Sequence, residues 1–140
     1  MNKNGPVIII EDDSEDKLLL KEVFKKHTYP NEIIYFSDGQ KALDFLIEED
    51  VLPFLILSDI NMPKLNGFEL RKKIYEDARL QEKCIPYLFF STAASQQYVI
   101  DAYSLSAQGF FVKQSTFGEL EKTIVLIMEY WKRCAAPNNF

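Results

Sequence analysis

The chain alternates between short, uninterrupted apolar runs and longer stretches in which apolar residues recur at helical spacing. The runs fall at residues 7–10, 33–36, 54–57, 86–90 and 109–113. Each is rich in β-branched or aromatic residues and is bounded by turn-forming or charged ones, which predicts five strands. Phe54-Leu-Ile-Leu57 shows no polar alternation, as expected of a strand covered on both faces in a parallel sheet. Between the runs, Leu18, Leu19, Val23 and Phe24 predict a first helix. Asp13 or Ser14 would cap it, Glu15 and Asp16 would lie in its first turn, and Lys25-Lys26-His27 would stand at its negative end. A second helix would follow Ser37-Asp38-Gly39 and carry Ala42, Leu43, Leu46 and Ile47, and a third would run from about Gly67 with Phe68, Leu70 and Ile74. Residues 76–83 read as a frayed end or a loop. Ser95 is placed to cap a fourth helix with Val99, Ala102 and Tyr103 on one face, and Phe117, Leu120, Ile124, Ile127 and Trp131 mark a fifth.

Five strands alternating with five helices imply right-handed crossovers and a parallel sheet with helices on both faces. The expected architecture is α/β, a flavodoxin-like doubly wound sheet of order 2-1-3-4-5. One domain is expected over residues 6–133, with flexible tails at 1–5 and 134–140 and no room for a separate output domain.

Composition narrows the function classes. The 140 residues are 47% hydrophobic and 26% charged, and they contain no apolar run of about eighteen residues and no leader pattern. A net charge of -5, with lysines scattered among acids, argues against a nucleic-acid surface. The two cysteines, Cys84 and Cys134, lack metal-site spacing and are too few for a disulfide scaffold, which fits a reducing cytoplasm. His27 is read as a helix-end partner of the dipole.

In a parallel sheet, Glu11-Asp12-Asp13, Asp59, Ser91-Thr92 and Lys113 all leave their strands at one edge, where ligands bind in open α/β folds. Clustered carboxylates repel one another unless a cation offsets them, and hard oxygen donors suggest Mg2+. Lys113 would pair with Asp59 or with an incoming phosphoryl oxygen.

Taken together, Ile-Glu-Asp-Asp after the first strand, Ser-Asp-Ile-Asn-Met-Pro-x-x-Asn-Gly after the third, a small hydroxyl residue after the fourth and Gly-Phe-Phe-Val-Lys in the fifth form a specific combination. Over essentially its full length the chain resembles a response-regulator receiver domain of two-component signalling, of the stand-alone type. The resemblance implies that Asp59 is the phosphoacceptor. It further implies that Asp12 and Asp59 bind Mg2+ directly, that Asn61 lends its main-chain carbonyl, and that Glu11 holds a metal-bound water. Ser91 would hydrogen-bond the phosphoryl group, Lys113 would neutralise it, and Phe110 would be the switch aromatic. Asp12-Asp13 stays open as an alternative metal pair to Glu11-Asp12. The implied partners are a histidine kinase or phosphotransfer protein and a downstream protein. A homodimer through the fourth helix, fifth strand and fifth helix is also implied. Chemistry would be confined to phosphorylation and dephosphorylation of Asp59 itself.

Two departures from the family pattern stand out. Gln114 follows Lys113 where the family carries a proline in a cis peptide, so that peptide is expected either to be a strained cis bond or to run trans. Ser91 replaces the more frequent threonine. Three alternatives are weighed against the receiver reading. A Mg2+-dependent aspartyl phosphohydrolase would want a second acid where Asn61 stands, and a nucleotide or flavin binder would want a Gly-rich loop after the first strand. A scaffold that works without phosphorylation stays open because of Gln114.

Overall fold

The computed structural model describes residues 1–137. Its strands are β1 (Val7–Ile10), β2 (Ile33–Phe36), β3 (Leu55–Ser58), β4 (Tyr87–Ser91) and β5 (Gly109–Val112), within a residue or two of the apolar runs. They form one parallel sheet in the order β2-β1-β3-β4-β5. The helices are α1 (Ser14–His27), α2 (Gly39–Glu48), α3 (Gly67–Glu76), α4 (Ala78–Glu82), α5 (Gln96–Ser104) and α6 (Phe117–Arg133).

Successive strand residues point to opposite faces, so each central strand feeds two cores. Ile8, Ile10, Ile56, Tyr87 and Phe89 pack with Leu46 of α2, Leu70 and Ile74 of α3 and Ala102 of α5. Val7, Ile9, Leu55, Leu57, Leu88 and Phe90 pack with Leu20, Val23 and Phe24 of α1 and Leu120, Ile124 and Ile127 of α6. Both faces of β1, β3 and β4 are therefore apolar, which is why no alternation shows in the sequence.

Among the described residues there are six helices where five were expected. The additional one, α4, occupies the stretch read as a frayed end or loop. Asp77 caps it by accepting from the Leu80 N–H at 3.0 Å, and Leu80 is buried beside Ile74 and Ile85. A five-residue helix with a single core residue leaves almost no periodic signal. The fourth and fifth helices of the sequence reading are accordingly α5 and α6. Leu18 and Ile47, placed among the apolar residues of their helices, are exposed beside the buried stripes of α1 and α2.

The termini also differ from expectation. Met1 is 7% exposed and Ala136 1%. The Asn2 N–H donates to the Pro53 carbonyl at 3.1 Å, and the Asn31 amide donates to the carbonyls of Lys3 and Gly5 at 2.9 and 2.7 Å. Side-chain burial and these bonds tie residues 1–5 to the end of the sheet opposite the acidic edge. Residues 138–140 of the expected carboxyl-terminal tail lie outside the described residues.

One glycine fixes how α3 approaches the acidic edge. Asn66 and Glu69 form a reciprocal capping box at the start of α3, and the Gly67 N–H donates to the Ile60 carbonyl at 2.8 Å. A Cβ at Gly67 would run into the carbonyl oxygen of Asp59. The buried Tyr87 hydroxyl donates to the Gly67 carbonyl at 2.9 Å and fixes the glycine from the other side. Gly67→Ala is therefore expected to lower unfolding stability by about 2–3 kcal/mol through forced displacement of the Asp59 backbone, measurable as a lower urea midpoint at unchanged slope.

Candidate functional site

The last rungs of the parallel ladder deliver the site. The Glu11 N–H donates to the Phe36 carbonyl at 2.9 Å, the Asp59 N–H to Ile10 at 3.0 Å and the Lys113 N–H to Ser91 at 3.0 Å. Each of these donors is the first residue beyond its strand, so Glu11, Asp59 and Lys113 emerge together at one edge.

Glu11, Asp12 and Asp59 each offer a carboxylate oxygen, and these three oxygens lie within 4.8 Å of one another. Glu11 is 2% exposed and Asp59 9%, while Asp12 faces solvent. Asp13 stands apart from the group. It caps α1, accepting from the N–H groups of Glu15 and Asp16 at 2.9 and 3.0 Å, and its own N–H donates to Glu11 Oε1 at 3.0 Å. Of the two candidate acid pairs, the structure brings Glu11-Asp12 to Asp59 and gives Asp13 to the helix. An all-oxygen set of this kind fits a hard divalent cation.

Lys113 lies across the carboxylates with its side chain 5% exposed. Its ammonium donates to Glu11, to Asp59 Oδ2 at 3.0 Å and to Asp16 Oδ2 at 3.0 Å. The other Asp59 oxygen accepts from the Ile60 N–H at 2.7 Å. The peptide after Lys113 is trans, so Lys113 reaches Asp59 with Gln114 behind it.

The remaining predicted residues surround this centre. Ser91 is buried at the end of β4, its Oγ accepting from the Ala93 N–H at 3.1 Å. Asn61 is exposed, two residues beyond Asp59. Phe110 is half-buried, stacked on Phe89 at 6.0 Å between ring centroids. Asp16 is the residue that sequence reasoning missed. Its place in the first turn of α1 was explained by the helix dipole, and nothing local marks its approach to a lysine 97 residues away.

The family model of the response regulator receiver domain matches residues 7–125. The chain belongs to that family. Among its relatives, the response regulator Rcp1 of Synechocystis is 32% identical over 130 residues, which cover 89% of this chain and 87% of that protein. The probable methanogenesis regulatory protein FilR2 of Methanothrix harundinacea is 29% identical, over 89% of this chain and 82% of its own. Among solved structures, the phosphorylated cyanobacterial phytochrome response regulator RcpA superposes with a TM-score of 0.86 at 27% identity, covering 95% of this chain and 98% of its own. The Mn2+-bound form of Rcp1 superposes at 0.83 with 29% identity, covering 95% and 99%.

Electrostatics of the receiver site are set by burial. Burial pushes the Glu11 carboxyl up from its ordinary 4.5 to about 7, outweighing the opposite pull of its hydrogen bond to Lys113, and the Asp59 charge adds to the rise. Burial alone would lower the pKa of Lys113, but pairing with Glu11 and Asp59 more than offsets it and leaves the ammonium well above its ordinary value. Lys113 is thus a permanent cation, and Glu11 is the group whose charge is costly.

A carboxyl whose folded pKa exceeds its unfolded value loses stability as pH rises between the two. Here that window runs from about 4.5 to 7. In chelator, without divalent cations, Glu11→Gln is expected to unfold at higher urea than the wild type at pH 8, by about 1–3 kcal/mol. The advantage should shrink toward pH 5, where the wild-type carboxyl is protonated. A variant less stable than the wild type at pH 8 would mean that the Lys113 pair outweighs burial.

Proposed function

We propose that this receiver accepts a phosphoryl group on Asp59 and passes the signal on through altered protein–protein contacts. The observation that carries the reading is the placement of Lys113 on Asp59 inside a group of three converging carboxylates. Asp59 attacks phosphorus, a new O–P bond forms on its carboxylate, and the bond from phosphorus to the donor's leaving atom breaks, its electron pair departing with the donor. The donor is a histidine kinase or phosphotransfer protein. Phosphoryl transfer asks chiefly for positioning and charge stabilisation, and this edge has groups suited to both.

Glu11, Asp12, Asp59 and the Asn61 main-chain carbonyl would hold Mg2+, with Glu11 acting through water. Bound there, the ion supplies positive charge to the transferring phosphoryl oxygens. Lys113 supplies a second positive charge beside Asp59. The Ser91 hydroxyl, whose oxygen accepts from the Ala93 N–H, would turn to donate its proton to a phosphoryl oxygen. Movement of Ser91 and of the loop after it would reach Phe110 and then the face formed by α5, β5 and α6. Ile100, Tyr103, Val112, Leu126 and Tyr130 are exposed on these elements, a surface suited to a downstream protein or a second copy of the chain.

The reach of Lys113 to Asp59 despite Gln114 weighs against a scaffold that works without phosphorylation. Asn61, in place of a second acid, weighs against a phosphohydrolase. No helix among the described residues is long and apolar enough to cross a membrane, and a cytoplasmic setting fits the two free thiols.

The test is intact-protein mass after incubation with acetyl phosphate. Wild type is expected to gain one phosphoryl group only when Mg2+ is present, and Asp59→Asn none. Lys113→Ala should slow the gain by about a hundredfold, the scale for losing one electrostatic stabiliser. A folded, Mg2+-binding wild type that gains nothing would return the scaffold reading to first place.

A further inference from the structure

We infer that Asp16, in the first turn of α1, is a positioning residue that holds the Lys113 ammonium in place beside Asp59. The inference rests on the reading of Asp59 as phosphoacceptor. An ammonium carries three N–H donors. Three carboxylates meet this one, those of Glu11, Asp16 and Asp59, so its donors are fully used and its direction is fixed.

Two of those anchors have other duties. Glu11 and Asp59 belong to the oxygen set that fits a divalent cation, and Asp59 carries the phosphoryl group as well. Asp16 stands outside that set. When Glu11 and Asp59 turn to the cation, Asp16 is the carboxylate that stays with the lysine.

Lys113 has particular need of such an anchor. Its flexible stem forms part of the wall of a small cleft shared with Leu20, Phe90, Leu120 and Gln114, and these mostly apolar neighbours do not set the direction of the charged end. Behind it the backbone is a trans peptide to an exposed glutamine, with no proline ring to stiffen the loop. Orientation of the ammonium therefore falls to charge, and α1 provides that charge from a capped first turn whose backbone is itself held by Asp13.

Without Asp16 the ammonium relaxes onto Glu11 and Asp59 and ties up the oxygens that a cation needs. Calorimetric titration of the full chain with Mg2+ should therefore show Asp16→Asn weakening Kd by about fivefold, the upper range for a partly exposed ion pair. The rate of phosphorylation by acetyl phosphate should fall by a similar factor, and Asp16→Glu should restore both. Removing a negative charge also weakens cation binding directly, so the deciding measurement is a double-mutant cycle with Lys113→Ala. If Asp16 acts through Lys113, Asp16→Asn changes the Mg2+ Kd by less than twofold in the Lys113→Ala background. An undiminished fivefold effect in that background would overturn the inference, as would an unchanged Kd in the single variant. The titration needs no phosphoryl transfer. A wild type that takes up no phosphoryl group while the cycle shows coupling would sink the Asp59 reading and leave Asp16 as the anchor of Lys113.

Discussion

The site depends on one ammonium group shared among carboxylates that repel one another. Two unit charges about 4 Å apart at a protein surface interact by about 4 kcal/mol at an effective dielectric near 20, and like charges suffer that as a penalty. Glu11 and Asp59 are largely withdrawn from water, so solvent relieves little of it. Lys113, brought across from β5, supplies the compensating charge, and burial strengthens the attraction as well as the repulsion. The arrangement is stable enough to form and remains short of positive charge. That deficit suits the edge to a divalent cation.

Bringing these charges together falls to an apolar sheet, because only a rigid ladder can fix groups from strands so far apart in sequence. The carbonyls of Phe36, Ile10 and Ser91 each receive the N–H of the first residue beyond a neighbouring strand, and those residues are Glu11, Asp59 and Lys113. Side-chain direction then follows from the pleat. Gly67 and Tyr87 secure the backbone at Asp59 from the α3 side, and the ladder bond to the Ile10 carbonyl holds it from the sheet side.

Much of this was legible in the chain because the central strands β1, β3 and β4 are covered on both faces and read as uninterrupted apolar runs. The acids, hydroxyl and lysine stand at the ends of the strand runs, so parallel order alone was enough to group them. What escaped was information carried by tertiary proximity. The helix α4 has a single core residue, Leu80, and its cap Asp77 looks like any surface acid. Asp16 has a sufficient local explanation in the helix dipole, which concealed its long-range partner. Whether Asp12-Asp13 or Glu11-Asp12 faced Asp59 turned on which residue capped α1, and Asp13 binds the Glu15 and Asp16 N–H groups. The packed termini depend on Asn31, whose two donated bonds no pattern in the chain announces.

The same geometry bounds how strongly the site can act on the rest of the fold. The Ser91 Oγ accepts a neutral hydrogen bond from the Ala93 N–H, and on turning to a phosphoryl oxygen it would exchange that bond for a charge-assisted one. A neutral bond is worth about 1 kcal/mol net and one to a charged group about 1.5–3 kcal/mol, so the exchange would favour the new arrangement by about 0.5–2 kcal/mol. A bias of that size changes a two-state ratio by about two- to thirtyfold. Serine also lacks the methyl of a threonine, and the contact on Ser91 Oγ is to the backbone of Ala93, two residues before the α5 cap Ser95, whose hydroxyl accepts from the Tyr98 N–H. Tyr98 stacks edge-on against Phe68 of α3, which leads back to Gly67 and Asp59. The segment after Ser91 is therefore joined through the α5 cap and Tyr98 to α3, the helix whose start is packed against the Asp59 backbone.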